Sequence, residues 1–311
     1  MLLRSDLVTV NRQNSNAGNA GDLLKHSAYL ALLDELVSRE PWRYELHIVE
    51  AHSGKGVYAS TSSHLRDARQ LPGYAASRLG VAQTAAFADP PGGFGVIAGI
   101  RDNEMPYAGS AVLHARELIA IPRRTLTLMD CDSAVRNTVA CIFLQPCLAV
   151  LAPDLRLVDP AGASEPKVLS ALKERMYLST SVLHFDPFAF VMSPDDAEIR
   201  NDYVKLITHC DEQVDRGELA AATVFVTWGS NSRAALDDLD GAGYQGGLKG
   251  GYNDLVGRTD PTRRIVLTWC WELYFSLILI VPQALRPQIA ARLQLYVEPF
   301  STRLERRLTI Q

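Results

Sequence analysis

Four apolar runs in this chain end on an acid. They are Leu46-His47-Ile48-Val49-Glu50, Thr125-Leu126-Thr127-Leu128-Met129-Asp130, Leu155-Arg156-Leu157-Val158-Asp159 and Ser181-Val182-Leu183-His184-Phe185-Asp186. After Glu50 the chain breaks into Ala51-His52-Ser53-Gly54-Lys55-Gly56. A buried strand that stops in a small-residue, two-glycine turn is how doubly wound α/β folds make room for a nucleotide-like ligand. Gly54 and Gly56 let the backbone approach that ligand, because no Cβ intervenes. Glu50 is placed either to organise the turn or to meet a polar group of the ligand. Asp130, at the end of the second such run, is where a ribose diol binds, since a carboxylate accepts from both hydroxyls. Asp186 is followed by Pro187-Phe188-Ala189-Phe190. An Asp side chain and the next residue's carbonyl can accept two hydrogen bonds from an exocyclic amine, while an aromatic ring stacks on the ring that bears it. The plainer alternative is a strand end with a turn-making proline and two core phenylalanines.

Strands and helices alternate along most of the chain, and an antiparallel pair closes it. That pattern predicts an α/β fold with a mostly parallel sheet of seven strands. A polar segment, residues 16–22, leads into an amphipathic helix with Asp22 as N-cap, ending before Pro41. Lys25 and His26 fall near its first turn, as pocket residues or as solvated surface. Residues 59–106 are rich in turn signals and read as an inserted subdomain, with 74–81 and 95–100 as short helices or strands. Gly109-Ser110 opens a helix over 111–120, either as a plain cap or as a source of N–H groups and a hydroxyl at a helix N-terminus. Helices are predicted over 133–144, 167–176 and 195–217, and a fifth strand over 223–228. Residues 229–262 hold GAGYQGGLKGGYND and read as mobile, a substrate lid or a long loop. Ile265–Val281 is long enough for a membrane check, but Glu272 sits inside it and its residue types favour two buried strands. Pro287–Tyr296 is the closing helix, with proline in its first turn. There are no internal repeats.

A chain of 311 residues fits one domain with an insertion. The net charge of −4 gives no global basic field, so nucleic-acid binding needs a local patch. Arg12, Lys25 and Lys55 are the candidates for a basic face beside Asp186. The five cysteines contain no CxxC pair, which argues against a disulfide framework or a metal site and for a reducing cytoplasm. The opening MLLRSDLVTVNRQ is too short and polar for a secretory leader.

With these residues in hand, the chain resembles the class I S-adenosyl-L-methionine-dependent methyltransferases. More narrowly it resembles the RlmJ family, bacterial enzymes that methylate an adenine amine of 23S ribosomal RNA. Asn16-Ala17-Gly18-Asn19-Ala20-Gly21-Asp22-Leu23-Leu24-Lys25-His26 is similar to that family's HAGNxADxLKH opening. His52-Ser53-Gly54-Lys55-Gly56-Val57-Tyr58 is similar to its HAGxGxY turn, and Tyr107-Ala108-Gly109-Ser110 to its YPGSP segment. The resemblance implies a Rossmann-like fold, with Lys25, His26, His52 and Ser110 lining the cofactor pocket beside Glu50, Gly54 and Gly56. It implies Asp130 on the ribose, Asp159 beside the cofactor's adenine, and Asp186 as the catalytic carboxylate with Pro187 and Phe188. The chain departs from the family at DPPY, which is Asp186-Pro187-Phe188-Ala189 here, at Asn16 in place of His, and at Pro160 beside the third-strand acid.

The expected partners are therefore RNA, ribosomal RNA in particular, or a small-molecule acceptor, with no membrane and no metal. The altered motif, the acidic balance and the 229–262 stretch favour a small-molecule acceptor. A non-catalytic cofactor-binding protein is a third reading, and retention of Asp186 argues against it. A dehydrogenase is disfavoured, because a dinucleotide fingerprint has three glycines at the turn.

Overall fold

The apolar, acid-ended runs all lie in one sheet. A computed structural model describes residues 17–87, 104–130, 135–137, 139–140, 155–158, 178–186, 197–227, 255–271, 273–304 and 306–310. The strands are β1 (Glu45–Glu50), β2 (Val57–Ser60), β3 (Met105–Ala108), β4 (Arg123–Met129), β5 (Leu155–Val158), β6 (Ser181–Phe185), β7 (Ala221–Thr227), β8 (Arg264–Trp271), β9 (Leu273–Ile280) and β10 (Arg306–Ile310). The helices are α1 (Ala20–Val37), α2 (Ser63–Gln70), α3 (Arg78–Phe87), α4 (Ser110–Glu117), α5 (Ala197–Asp215) and α6 (Arg286–Val297).

Eight strands make the main sheet, in the order β10-β8-β9-β7-β6-β1-β4-β5. The sequence predicted seven. The extra strand, β10, follows the closing helix and pairs antiparallel with β8, with an irregular register between Arg306 and Thr309. Its sequence, RRLTI, is short and opens on two arginines, which blurs the strand signal. β1, β4, β5, β6 and β7 run parallel. The hairpin β8–β9 inserts its second arm next to β7, antiparallel to both neighbours. Ile265–Val281 is thus the buried strand pair its residue types predicted. No helix among the described residues is long and apolar enough to cross a membrane.

From β1 the chain builds outward to β4 and β5, then returns to lay β6 and β7 on the other side. The order reverses between β1 and β6, and in open α/β sheets ligands bind at the carboxyl ends of the strands beside such a reversal. Glu50 and Asp186 sit at that place.

Between β1 and β4 the chain leaves the sheet. β2 and β3 form a separate antiparallel ribbon, and α2 and α3 lie within the excursion. Within 74–81 the structure has a turn that becomes α3 at Arg78, while 95–100 falls outside the described residues. Parts of the predicted 133–144 helix are helical, at 135–137 and 139–140. The 167–176 helix and most of 229–262 fall outside the described residues; 255–258 are helical.

The predicted amphipathic helix differs in two ways. Its N-cap is Asn19, whose side chain accepts from the Asp22 N–H at 2.9 Å, and Asp22 lies inside the first turn. The helix is also buried almost all round, because the sheet covers one side and α3 and α6 cover the other. Its polar residues find partners there. Arg78 of α3 bonds Asp34 at 2.9 Å and also Glu117 of α4, Tyr296 donates to Asp34, and Arg292 reaches Glu35 at 3.0 Å.

One close approach fixes how deep α1 sits. A Cβ added at Gly21 would lie 2.6 Å from Cε1 of Phe275 and 2.9 Å from Cζ of Phe225. Gly21→Ala gains about 1 kcal/mol of helix propensity, but overpacking two core rings costs about 1–3 kcal/mol. The expected outcome is a lower urea midpoint at an unchanged slope. A midpoint at or above that of the parent would show that the rings can give way.

Candidate active site

Three described acids gather at the carboxyl ends of β1, β4 and β6, and the structure gives them different tasks. Glu50 is 2% exposed and faces α4. The Ser110 hydroxyl donates to one of its oxygens, and His114 Nδ1 lies 2.6 Å from the other. Glu50 was expected to organise the glycine turn or to meet the ligand; its two carboxylate oxygens are instead bonded to α4. Ser110 correspondingly commits its hydroxyl to Glu50, and the N-cap of α4 is Gly109.

Asp130 is 8% exposed and braces the glycine turn. Its Oδ2 accepts from the Gly54 N–H at 3.2 Å, while Arg136 donates to its carbonyl at 2.6 Å. The turn lies across the sheet's end: Ala51 N–H donates to the His184 carbonyl at 3.0 Å, and Ser53 N–H to the Met129 carbonyl at 2.9 Å. Gly54 and Gly56 have φ of 61° and 80°, the left-handed region where a Cβ is penalised. Their glycine identity therefore has a conformational reason besides close approach. The Gly56 carbonyl accepts from Gly109 N–H at 2.8 Å, which ties the turn to the start of α4.

Asp186 is the acid that faces outward, with 38% of its side chain exposed. Lys25 holds it. Lys25 Nζ lies 2.9 Å from Asp186 Oδ2 and 2.9 Å from Asp22 Oδ1, and stands 4.7 Å from the centroid of the Phe225 ring. Asp22 is itself fixed by the Gly18 N–H at 3.0 Å. Burial opposes the charge on Lys25, but Asp186 and Asp22 outweigh it and hold the amine well above the ordinary lysine value. Burial likewise opposes the charge on Asp22, and Lys25 overrides it, so that carboxyl is held below its usual value. His52 supports Asp186 from behind. Its Nδ1 accepts from the Asp186 N–H at 3.2 Å, which places its proton on Nε2, 3.2 Å from the Tyr203 hydroxyl.

His26 is 3% exposed and lies beneath this surface. Its Nδ1 is 2.7 Å from the Tyr107 hydroxyl, and the two rings stack at 5.6 Å. Burial, then the Lys25 charge, lowers its pKa to about 3. Lys55 is 3% exposed and Lys25 7%, so neither contributes to an exposed basic face. Arg12, Pro187, Phe188 and Asp159 fall outside the described residues. Among the described residues no group of three His, Cys, Asp or Glu is arranged to hold a metal ion.

Sequence reasoning missed Tyr29, His114, His184 and Tyr203, and it read Asp22 only as a cap. Asp22 was within reach, since it stands three residues before Lys25 and one helical turn joins such pairs. Tyr203 stands on the apolar stripe predicted for 195–217.

Parallel strands that run outward from β1 on both sides, closed by an antiparallel hairpin, define a Rossmann-like α/β fold. A solved structure shares that fold. Protein LPL1258 from Legionella pneumophila str. Philadelphia 1, titled with the family model DUF519, superposes with a TM-score of 0.61 at 14% identity, over 95% of this chain and 97% of that one. This likeness speaks to the fold alone. A human methyltransferase 10 domain containing protein gives a TM-score of 0.36 at 12% identity, over 84% of this chain and 82% of that one, and nothing rests on it. No protein-family model matches the chain, and no curated protein matches its sequence.

Proposed function

We propose that this chain is an S-adenosyl-L-methionine-dependent methyltransferase whose acceptor is an exocyclic amine of adenine in RNA. The observation that carries the reading is Asp186, an outward-facing carboxylate at the reversal of strand order, clamped by a buried cation beside a two-glycine turn.

The residues present fit the cofactor. Asp130 stands at the end of the strand next to β1 with its carboxylate at the turn, as ribose binding requires. Gly54 and Gly56 offer backbone without side chains at the same place, and His52 borders it. The bound cofactor supplies a methyl group on a sulfonium, a good leaving group that needs no activation. The protein has to position the acceptor and accommodate one proton. Asp186 would accept an N–H of the acceptor amine, orient its nitrogen, and take or pass to water the proton that the amine loses on becoming methylated. Lys25 keeps the carboxylate in place throughout.

Calorimetric titration with S-adenosylmethionine tests the cofactor. The parent protein binds it, and Asp130→Ala weakens binding about tenfold to a hundredfold, the worth of hydrogen bonds to a charged acceptor. Absence of binding by the parent overturns the proposal. A labelled-methyl assay on total RNA against a panel of small amines and phenols tests the acceptor. Burial of Lys25 and Lys55 favours the second reading, a small-molecule acceptor, because it removes two of the cations expected to meet a phosphate backbone.

A further inference from the structure

Beneath Asp186 three buried rings meet from three elements. Tyr29 of α1 lies on His184 of β6, with ring centroids 4.1 Å apart, and on His114 of α4, at 5.5 Å. The two imidazoles stack on each other at 4.6 Å, with 7° between their planes. Each imidazole is pinned by a hydrogen bond to a neighbouring strand. His114 Nδ1 lies 2.6 Å from Glu50 Oε1 of β1, and His184 Nδ1 lies 2.7 Å from Thr223 Oγ1 of β7. The Nε2 atoms of both imidazoles are buried without a hydrogen-bond partner. A bare nitrogen costs less there than an unpartnered N–H, so the protons belong on Nδ1, where Glu50 and Thr223 can accept them.

Tyr29 is four residues after Lys25, on the same face of the helix. Four residues before Lys25 is Gly21, whose backbone rests on Phe275. Most of α1 packs through leucines and alanines, with His26 bonded to Tyr107 and, two turns further on, Asp34 and Glu35 bonded to Arg78, Tyr296 and Arg292. The two contacts that flank Lys25 are directional, one a backbone-to-ring approach and the other a stack of rings held by hydrogen bonds. They bracket the residue that must reach Asp186.

We propose that Tyr29, His114 and His184 are positioning residues, a three-ring stack that fixes the turn of α1 carrying Lys25 so that its amine meets Asp186. For the use of that contact in methyl transfer, the inference rests on the proposed function. The charged and titratable groups facing the stack are Lys25 and His26 from α1, Glu50 from β1 and Asp186 at the end of β6. His184 is neutral in the stack, since burial, then His114, His26 and Lys25, hold its pKa well below the ordinary value.

Trace acetylation of the full chain with acetic anhydride, read by mass spectrometry, tests the contact directly. Lys205 has 70% of its side chain exposed and serves as the internal reference. In the parent Lys25 is strongly protected relative to Lys205. Tyr29→Phe keeps the ring and the protection. Tyr29→Leu removes the ring, frees the amine from its carboxylates and raises relative labelling about tenfold, the effect of a one-unit fall in pKa. His184→Asn keeps a polar contact toward Thr223 without the ring and gives the same rise, which covers the case in which Tyr29→Leu does not fold. Protection in both variants equal to the parent overturns the proposal, as does a Tyr29→Phe that labels like Tyr29→Leu. Calorimetry with S-adenosylmethionine on the same samples separates the two claims. A parent that binds none refutes the functional reading and leaves the labelling result standing.

Discussion

Asp186→Asn is expected to lower methyl transfer by about 10²–10⁴-fold, the range for a side chain that manages a proton in the transition state. S-adenosylmethionine affinity should stay within about twofold of the parent, because Asp130 and the glycine turn are untouched. Asparagine keeps the shape of the side chain and one oxygen acceptor. It loses the charge that binds Lys25 and the capacity to take a proton. Lys25 remains buried in this variant, but it keeps Asp22 at 2.9 Å and the face of Phe225, so the fold survives. The loss thus falls on turnover and not on folding, and equal far-UV spectra with a small change in urea midpoint establish that. Lys25→Met is the reciprocal experiment. Asp186 is already part-exposed and tolerates losing its partner, yet it is no longer held in one orientation, so turnover drops while the carboxylate remains. Full transfer by Asp186→Asn would move the chemistry away from this acid.

The features legible in the sequence were those set by local pattern. Strands that end in acids, the two-glycine turn and the hairpin at Trp271–Leu273 each show within a few residues, and each is present. Features set by the tertiary partner were not legible. Glu50 was recognisable as a strand-end acid. Its partners, Ser110 and His114, lie 60 and 64 residues further on, and no spacing rule links them. Asn19 and Asp22 are both good cap residues. Their roles were decided by Lys25 and Gly18, which draw the Asp22 carboxylate inward. The all-round burial of α1 depends on α3 and α6, which come from distant parts of the chain. His184 alternates with Val182 on the inward face of β6, so its period is that of a core residue, and only its chemistry marks it. Lys25 shows the same limit from the other side. The sequence offered it as a pocket residue or as surface, and the structure buries it as a bridge between two carboxylates.

The stability of this protein should fall on mild acidification, because His26 and His184 are folded in as neutral rings. His26 has a pKa lowered to about 3 by burial and then by Lys25. His184 is held well below the ordinary 6.5 by burial, then by His114, His26 and Lys25. Below pH 6.5 the unfolded chain protonates these rings and the folded chain does not. The unfolded state then binds more protons, so stability is fully present above that pH and is lost as pH falls toward the folded values. A ring that stays neutral while the unfolded chain protonates contributes roughly 1 kcal/mol per pH unit; His26 does so down to about pH 3, and His184 adds to the loss in the same direction. Lys25, raised above its usual value, contributes stability that is lost only in alkali, so it does not offset the loss. The lowered carboxyl of Asp22 adds a further loss, but below its own ordinary value of 3.8. Urea midpoints measured at half-unit steps from pH 7.5 to 5 should therefore hold nearly level above about pH 6.5 and decline below it. His184→Asn should make the decline shallower. His209→Gln should leave it unchanged, since that side chain is 54% exposed on α5. A flat profile across this range would mean that His26 and His184 are charged in the folded protein as well as in the unfolded chain.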